Sequence, residues 1–253
     1  MTNYEPEVYW SRVAQEIEKR GNNYIAGDDN PYYRYKRRKF LKEFLDTIDV
    51  QSKTVLEVGF GPGGNLKHLA MHHAPTKLFG ADVSGKMLEL ATKNLNKHDV
   101  TLAKIDGANL PYPTQVVDIS FTVTVLQHNT DDTAFKRLVQ ELCRVTKTMI
   151  VIMEDIGAGQ SGIGWIARPV ETYRSVFAEC GFTLSDVRFL NTKISRRWYE
   201  SIDRRFISSR HQEGDPISFA MKCLIGLPVP ITSRLDRVFV EKANLAKMVL
   251  QRA

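Results

Sequence analysis

Apolar residues recur along this chain at two alternating spacings. Residues 7–20 and 34–49 carry them at helical intervals, as at Phe40, Phe44, Leu45 and Ile48, and each stretch predicts an amphipathic helix. The segment between, GNNYIAGDDNPYYRY, is too rich in Gly, Asn, Asp and Pro for a regular element. From residue 54 onward, short apolar runs alternate with helical stretches. Strands are expected at 54–59, 78–83, 100–105, 116–125 and 149–154, with helices at 65–71, 86–97 and 132–145. This alternation predicts an α/β fold whose parallel sheet is covered on both faces, because parallel strands need long crossovers. After residue 155 come a Gly-rich loop, GAGQSGIG, a helix at 169–179, a strand at 182–189 and a helical, irregular stretch at 192–242. The final run, LAKMVLQ, alternates weakly and reads as an edge strand closing the sheet.

Composition keeps that picture: 43% hydrophobic and 25% charged residues over 253 positions suit one principal globular domain with additions. No apolar run approaches the roughly 20 residues that span a bilayer, and the polar amino terminus lacks a secretory pattern. Cys143, Cys180 and Cys223 have neither metal-ligand spacing nor an even count, so reduced thiols and a cytoplasmic location are expected. A net charge of +6 favours anionic partners in general. Its clusters, Arg34 to Lys39 and Arg196, Arg197, Arg204 and Arg205, equally suit solvated helix faces.

The chemistry begins at TVLEVGFGPGGNLKHLA, a strand that runs into a helix through Gly59, Gly61, Gly63 and Gly64. Glycines there allow a tight turn and close approach of backbone amides to a ligand, and the following helix terminus favours an anion. A structural turn or a dinucleotide site would use the same chemistry. Glu57, in the strand before the turn, asks for a cationic or hydrogen-bonding partner, of which a ligand ammonium is one. Asp82 ends the second strand, where a carboxylate can accept both ribose hydroxyls, and Asp106 ends the third, within reach of an adenine edge. Each acid alone is ordinary turn chemistry; the three together mark successive strand ends.

In LEVGFGPGG, GADVSGKML, IDGANLPYPTQVVDISF and VLQHN, taken in that order, the chain resembles the class I S-adenosylmethionine-dependent methyltransferases over residues 53–155, with continuity into 190. The resemblance implies a doubly wound seven-stranded sheet in the order 3-2-1-4-5-7-6, its last strand antiparallel. It also implies S-adenosylmethionine as cofactor and S-adenosylhomocysteine as product. Carried over by position, Glu57, Gly59, Gly61 and Gly63 would hold the methionine portion. Asp82 with Val83 would take the ribose, and Asp106, Gly107 and Ala108 the adenine. Phe60 and Met87 would wall the site, with Gln127 near the sulfonium. Val117 stands where the family usually has an aromatic residue, a change in packing.

Methyl transfer from a sulfonium needs alignment more than catalytic apparatus, but a hydroxyl acceptor must lose a proton. His128, at the carboxyl end of the fourth strand, is the candidate base; its alternative roles are to cap the next helix or to donate to a loop carbonyl. Glu154 and Asp155 end the fifth strand and can bind an acceptor hydroxyl or serve as loop carboxylates. Tyr24, Tyr32, Tyr33 and Tyr35 would lie over the cofactor edge if the amino-terminal helices form a lid, either packing that lid or covering a sulfonium, with Tyr33 a candidate acceptor contact. Residues 192–242 read as the specificity element, where Arg196 and Trp198 would suit an anionic or sugar acceptor. The expected organisation is a helical lid (1–50), a cofactor-binding core (51–191), a helical cap (192–242) and a final core strand (243–253). Neither His72 with His73 nor Asp131 with Asp132 draws ligands from several elements, so no metal is expected. A small-molecule or saccharide acceptor is the first reading, with RNA or protein methylation, or binding without turnover, as alternatives. A nucleic-acid partner is not favoured, because VLQHN lacks the Asn-Pro-Pro-aromatic mark of base methylation. Peripheral membrane contact and a homodimer both fit the apolar run ISFAMKCLIGLPVPI.

Overall fold

A computed structural model describes residues 4–21, 29–207, 214–242 and 244–253. Tyr24 lies outside them. Two helices lead: α1 (Pro6–Lys19), and α2 (Pro31–Glu43), which Asn30 caps by accepting from the Tyr33 amide at 3.0 Å while Pro31 fills the first turn. The core follows as β1 (Thr54–Val58), α3 (Gly64–His72), β2 (Lys77–Asp82), α4 (Gly85–Asn94), β3 (Val100–Lys104), β4 (Val117–Val123), α5 (Asp132–Val145) and β5 (Thr146–Ile156). The Gly-rich loop folds into a two-stranded ribbon, β6 (Ser161–Gly162) and β7 (Trp165–Ile166), where the sequence predicts no regular element. Then come α6 (Val170–Ala178), β8 (Phe182–Phe189), the cap helices α7 (Lys193–Phe206), α8 (Phe219–Gly226) and α9 (Val229–Leu235), and finally β9 (Asn244–Arg252).

The sheet runs β3-β2-β1-β4-β5-β9-β8, with β9 antiparallel to both neighbours. Counting main-sheet strands alone, this is the expected 3-2-1-4-5-7-6. One expectation is corrected: β9 is not an edge strand, since it pairs with β5 on one side and β8 on the other. Helices bury both faces. One face packs α5 and α6 through Phe135, Leu138, Leu142, Tyr173 and Phe177, and the other packs the end of α2 with α3 and α4 through Phe44, Leu66, Leu69 and Ala91.

The amino-terminal helices do not act as one lid. Val13, Ala14 and Ile17 of α1 pack on Met87 and Leu90 of α4. Tyr32 of α2 instead stacks on Tyr199 of α7 at 4.9 Å and joins Ile202 and Ile225. Buried Asp236 binds that second body together, accepting from the Ile194 amide (2.6 Å), the Ser195 hydroxyl (2.7 Å) and the Tyr35 hydroxyl (3.0 Å). Among the described residues, no helix is long and apolar enough to cross a membrane.

Candidate functional site

A cleft opens at the carboxyl ends of β1, β2 and β4, where ligands of open parallel sheets bind. Gly59, Gly61, Asp82, Val83, Met87, Gly107 and His128 line it, and Tyr4, Pro6 and Trp10 roof it from α1 and the segment that leads into that helix. Gly59 has φ +76°, and a Cβ there would sit 2.2 Å from a Val125 methyl, so the turn requires glycine. Asp82 anchors the turn from β2: its carboxylate accepts from the Gly61 amide and the Ser84 amide, both at 2.9 Å.

Glu57 lies below the cleft wall, wholly buried, with Asn65 of α3 donating to one carboxylate oxygen at 2.6 Å. Arg37 of α2 donates to the same Asn65, and burial pushes its guanidinium down to about 10. The second Glu57 oxygen has no hydrogen-bond partner among the described residues. A buried, half-satisfied carboxylate beside a glycine turn fits a ligand that brings its own ammonium group, as S-adenosylmethionine does. Burial is the main cause raising Glu57 to about 8, Asp82 to about 6 and Glu154 to about 7. Between the ordinary carboxylate range and these values, the native chain keeps protons that the unfolded chain has released. Their stabilising contribution is complete at low pH and is lost as pH rises through about 6 to about 8. The melting temperature of the ligand-free protein should therefore fall over that range, and Glu154→Gln should flatten the fall; a curve that rises with pH would contradict this. Scanning calorimetry of both proteins reads it.

Other expected residues stand elsewhere. Asp106 is exposed, and its carboxylate closes its own turn, accepting from the amides of Ala108 (3.1 Å) and Asn109 (3.0 Å); only Gly107 of that trio reaches the cleft. Phe60 is buried in the core against Gly80, and Gly63 stands at the N-cap of α3. Gln127 is buried, its carbonyl accepting from the Asp155 amide at 2.8 Å. Glu154 is wholly buried too, accepting from the Thr122 hydroxyl (2.8 Å) and the amides of Val125 (3.2 Å) and Gln127 (3.1 Å). Both side chains point inward because they brace the segment after β4, and neither lines the cleft.

That bracing holds His128. Arg168, buried and stacked on Phe135 at 4.1 Å, donates to the Leu126 (3.2 Å) and Asn129 (2.8 Å) carbonyls on either side of it. The His128 ring meets Trp10 edge-on at 5.0 Å, and its Nδ1 donates to the Gly164 carbonyl at 2.8 Å. A carbonyl only accepts, so Nδ1 carries the proton and Nε2 of the neutral ring is a free base. Burial lowers the His128 pKa, favouring that neutral form. His128 does not cap α5; Asp131 does, accepting from the Ala134 amide at 2.8 Å.

A second cavity lies between α2, α7 and the ends of β5 and β9, lined by Tyr32, Tyr33, Lys36, Asp155, Arg196 and Tyr199 among others. Tyr33 and Arg196 are thus brought together, while Trp198 turns away to donate to the Leu224 carbonyl of α8 at 3.4 Å. Arg196 is committed to Glu200 (2.7 Å) and Glu241 (2.9 Å).

Tyr4, Trp10 and Thr124 belong to the cleft and were not singled out from the sequence. The aromatic run Tyr4, Tyr9, Trp10 was a usable signal. Thr124 was not, although its φ of +53° is unusual for a β-branched residue and marks the turn after β4 as strained.

Residues 55–149 match the family described as a methyltransferase domain. The tRNA (carboxymethyluridine(34)-5-O)-methyltransferase of Arabidopsis thaliana is 27% identical over 140 residues, which is 54% of this chain and about a third (32%) of that relative's length. Two solved structures share the fold. The phosphoethanolamine N-methyltransferase 2 of Haemonchus contortus, in complex with S-adenosyl-L-methionine, has a TM-score of 0.65 at 17% identity, covering 99% of this chain and 60% of that one. The magnesium protoporphyrin IX methyltransferase of Synechocystis PCC 6803, with S-adenosylhomocysteine bound, has a TM-score of 0.63 at 13% identity, covering 98% of each chain. The matching domain, the strand order and the glycine turn together support a class I S-adenosylmethionine-dependent methyltransferase.

Proposed function

We propose that the chain methylates a hydroxyl oxygen of a small-molecule or saccharide acceptor, with His128 as general base. The observation that carries this reading is the tautomer of His128, whose proton lies on Nδ1 and whose Nε2 is free on a side chain lining the cleft. When bound, S-adenosylmethionine supplies a methyl carbon already activated by the sulfonium, and Glu57, Gly59, Gly61 and Asp82 would hold it. The chain's own part is to accept the hydroxyl proton at Nε2, to exclude water with Trp10 and Tyr4, and to align the acceptor. The acceptor hydroxyl is proposed to sit in the cleft within reach of His128. The second cavity shares no lining residue with that cleft, and its Arg196 is already paired with two carboxylates. Turnover with S-adenosylmethionine against phenols, sugars and RNA tests the reading. Methylation of hydroxyl acceptors is expected. Methylation of RNA alone would favour the alternative suggested by the Arabidopsis relative's name, and cofactor binding without turnover would favour a regulator.

The cap bears on where the acceptor is met. Phe219, Leu227, Ile231, Val238 and Val240 are each more than three-fifths exposed. The exposed charges among them, Arg234, Arg237 and Lys242, are all cationic, whereas Asp236 is buried and Glu241 is paired with Arg196. Apolar residues ringed by cations complement an anionic bilayer surface, so we read this face as a peripheral membrane contact. The chain should sediment with phosphatidylglycerol vesicles at low salt. Leu227→Asp with Ile231→Asp should cost at least about tenfold in partitioning, since each side chain is worth ~1.5–3 kcal/mol on burial. A wild-type chain that stays in the supernatant, as a monomer or as a dimer, would overturn the membrane reading.

A further inference from the structure

Away from the cleft, the fold assembles three metal-ligating side chains that are scattered in the sequence. Asp46 lies in the 3-10 turn Leu45–Thr47 that follows α2, His68 lies in α3, and His73 follows that helix directly. The Nε2 atoms of His68 and His73 lie 2.6 Å and 3.0 Å from the same Asp46 carboxylate oxygen. All three ligand atoms fall within 4.8 Å of one another, the one such group among the described residues. The expectation of no metal set considered only sequence neighbours such as His72 and His73. The helix instead faces His68 and His73 toward a turn more than twenty residues upstream.

We propose that Asp46, His68 and His73 form a binding site for a borderline divalent transition cation of the Zn²⁺ type, separate from methyl transfer and independent of the function proposed above. Two imidazole nitrogens and one carboxylate oxygen are the donor set such ions select, whereas Mg²⁺ and Ca²⁺ prefer oxygen alone. Three protein ligands leave the remaining position of a tetrahedral ion to water. The side chains allow this, being 18% exposed at His68, 21% at His73 and 37% at Asp46, which leaves an entry path. With metal bonds of about 2.0–2.2 Å, ligand atoms of a tetrahedral site stand roughly 3.3 Å apart. To reach that spacing the His73–Asp46 distance of 3.0 Å would open by about 0.3 Å and the His68–Asp46 distance of 2.6 Å by about 0.7 Å. The ion would pin the exit of α2 to the carboxyl end of α3, whose amino end begins at the cofactor turn. Its role is therefore to brace the helix that frames the cleft.

Competition of the full chain with a chromophoric chelator for Zn²⁺ tests the site. One ion per chain is expected, with affinity reduced at least tenfold in Asp46→Asn, His68→Ala and His73→Ala and unchanged in His98→Ala. Thermal unfolding gives a second readout: Zn²⁺ should raise the melting temperature of the wild type and of His98→Ala, but not of the three ligand variants. If the wild type takes up Zn²⁺ no more tightly than Asp46→Asn, the cluster is a hydrogen-bonded pair of histidines on one carboxylate and the proposal fails. Loss of affinity equal in His98→Ala would mean adventitious binding and would overturn it as well.

Discussion

Replacement of His128 by alanine is expected to lower kcat about 100-fold or more, since a positioned general base contributes 10²–10⁴-fold. Affinity for S-adenosylmethionine should change little, because the Glu57, Gly59 and Asp82 side of the cleft is built from other elements. The pH profile gives the sharper reading. Burial lowers the His128 pKa below its ordinary value of 6.5, so the wild-type rate should rise with pH to a plateau, with a midpoint on the acid side of that value. In His128→Ala that acidic limb should vanish. Steady-state rates of both proteins between pH 5 and 9 check this; wild-type rates that are flat across the range, or a limb that survives in the variant, would remove His128 as the base. His128→Gln offers a companion, since a glutamine amide can donate to the Gly164 carbonyl yet cannot accept a proton at neutral pH. It should keep the loop and lose the rate.

The second large effect is expected at Gly59. A left-handed backbone costs a non-glycine residue about 1–2 kcal/mol, and here the added Cβ would also lie 2.2 Å from Val125. Both strains fall on the turn that presents amides to the ligand, so Gly59→Ala should weaken cofactor binding at least about tenfold and lower the melting temperature. Gly159→Ala is the matched control. It has a similar φ of +88° with nothing within 4 Å of the added Cβ, in a loop distant in sequence from the turn. It should lose a little stability and keep cofactor affinity. Equal cofactor affinity in wild type and Gly59→Ala would mean that the turn does not form the binding surface.

Much of this fold was legible because its central strands are short β-branched runs buried on both faces and its helices carry clear apolar stripes, as Phe135, Leu138, Val139 and Leu142 do in α5. The strand β9 was misplaced at an edge for a physical reason. Lys247 breaks its apolar run and imitates an exposed position. In the fold that lysine is 4% exposed and donates to the Phe44 carbonyl (3.1 Å) and the Thr47 hydroxyl (2.6 Å).

The cleft divides in the same way. Gly59, Gly61 and Asp82 could be read locally, since turn, amide and carboxylate lie on adjoining strand ends. Gln127 and Glu154 occupy comparable positions in the sequence, yet their side chains turn inward to hold the 124–128 segment, a choice decided by tertiary hydrogen bonding. Trp10 meets His128 across more than a hundred residues, and α1 divides from α2 to cover a different part of the molecule. No local spacing carries either fact.

The central claim is that the glycine turn and Asp82 form a binding site for S-adenosylmethionine, and calorimetric titration of S-adenosylhomocysteine into the wild type and Asp82→Ala tests it most directly. One site per chain is predicted, weakened at least about tenfold by Asp82→Ala, as loss of charge-assisted hydrogen bonds worth ~1.5–3 kcal/mol requires. A wild type that releases no heat and shows no saturation, or an Asp82→Ala chain that binds as tightly as the wild type, would contradict the account.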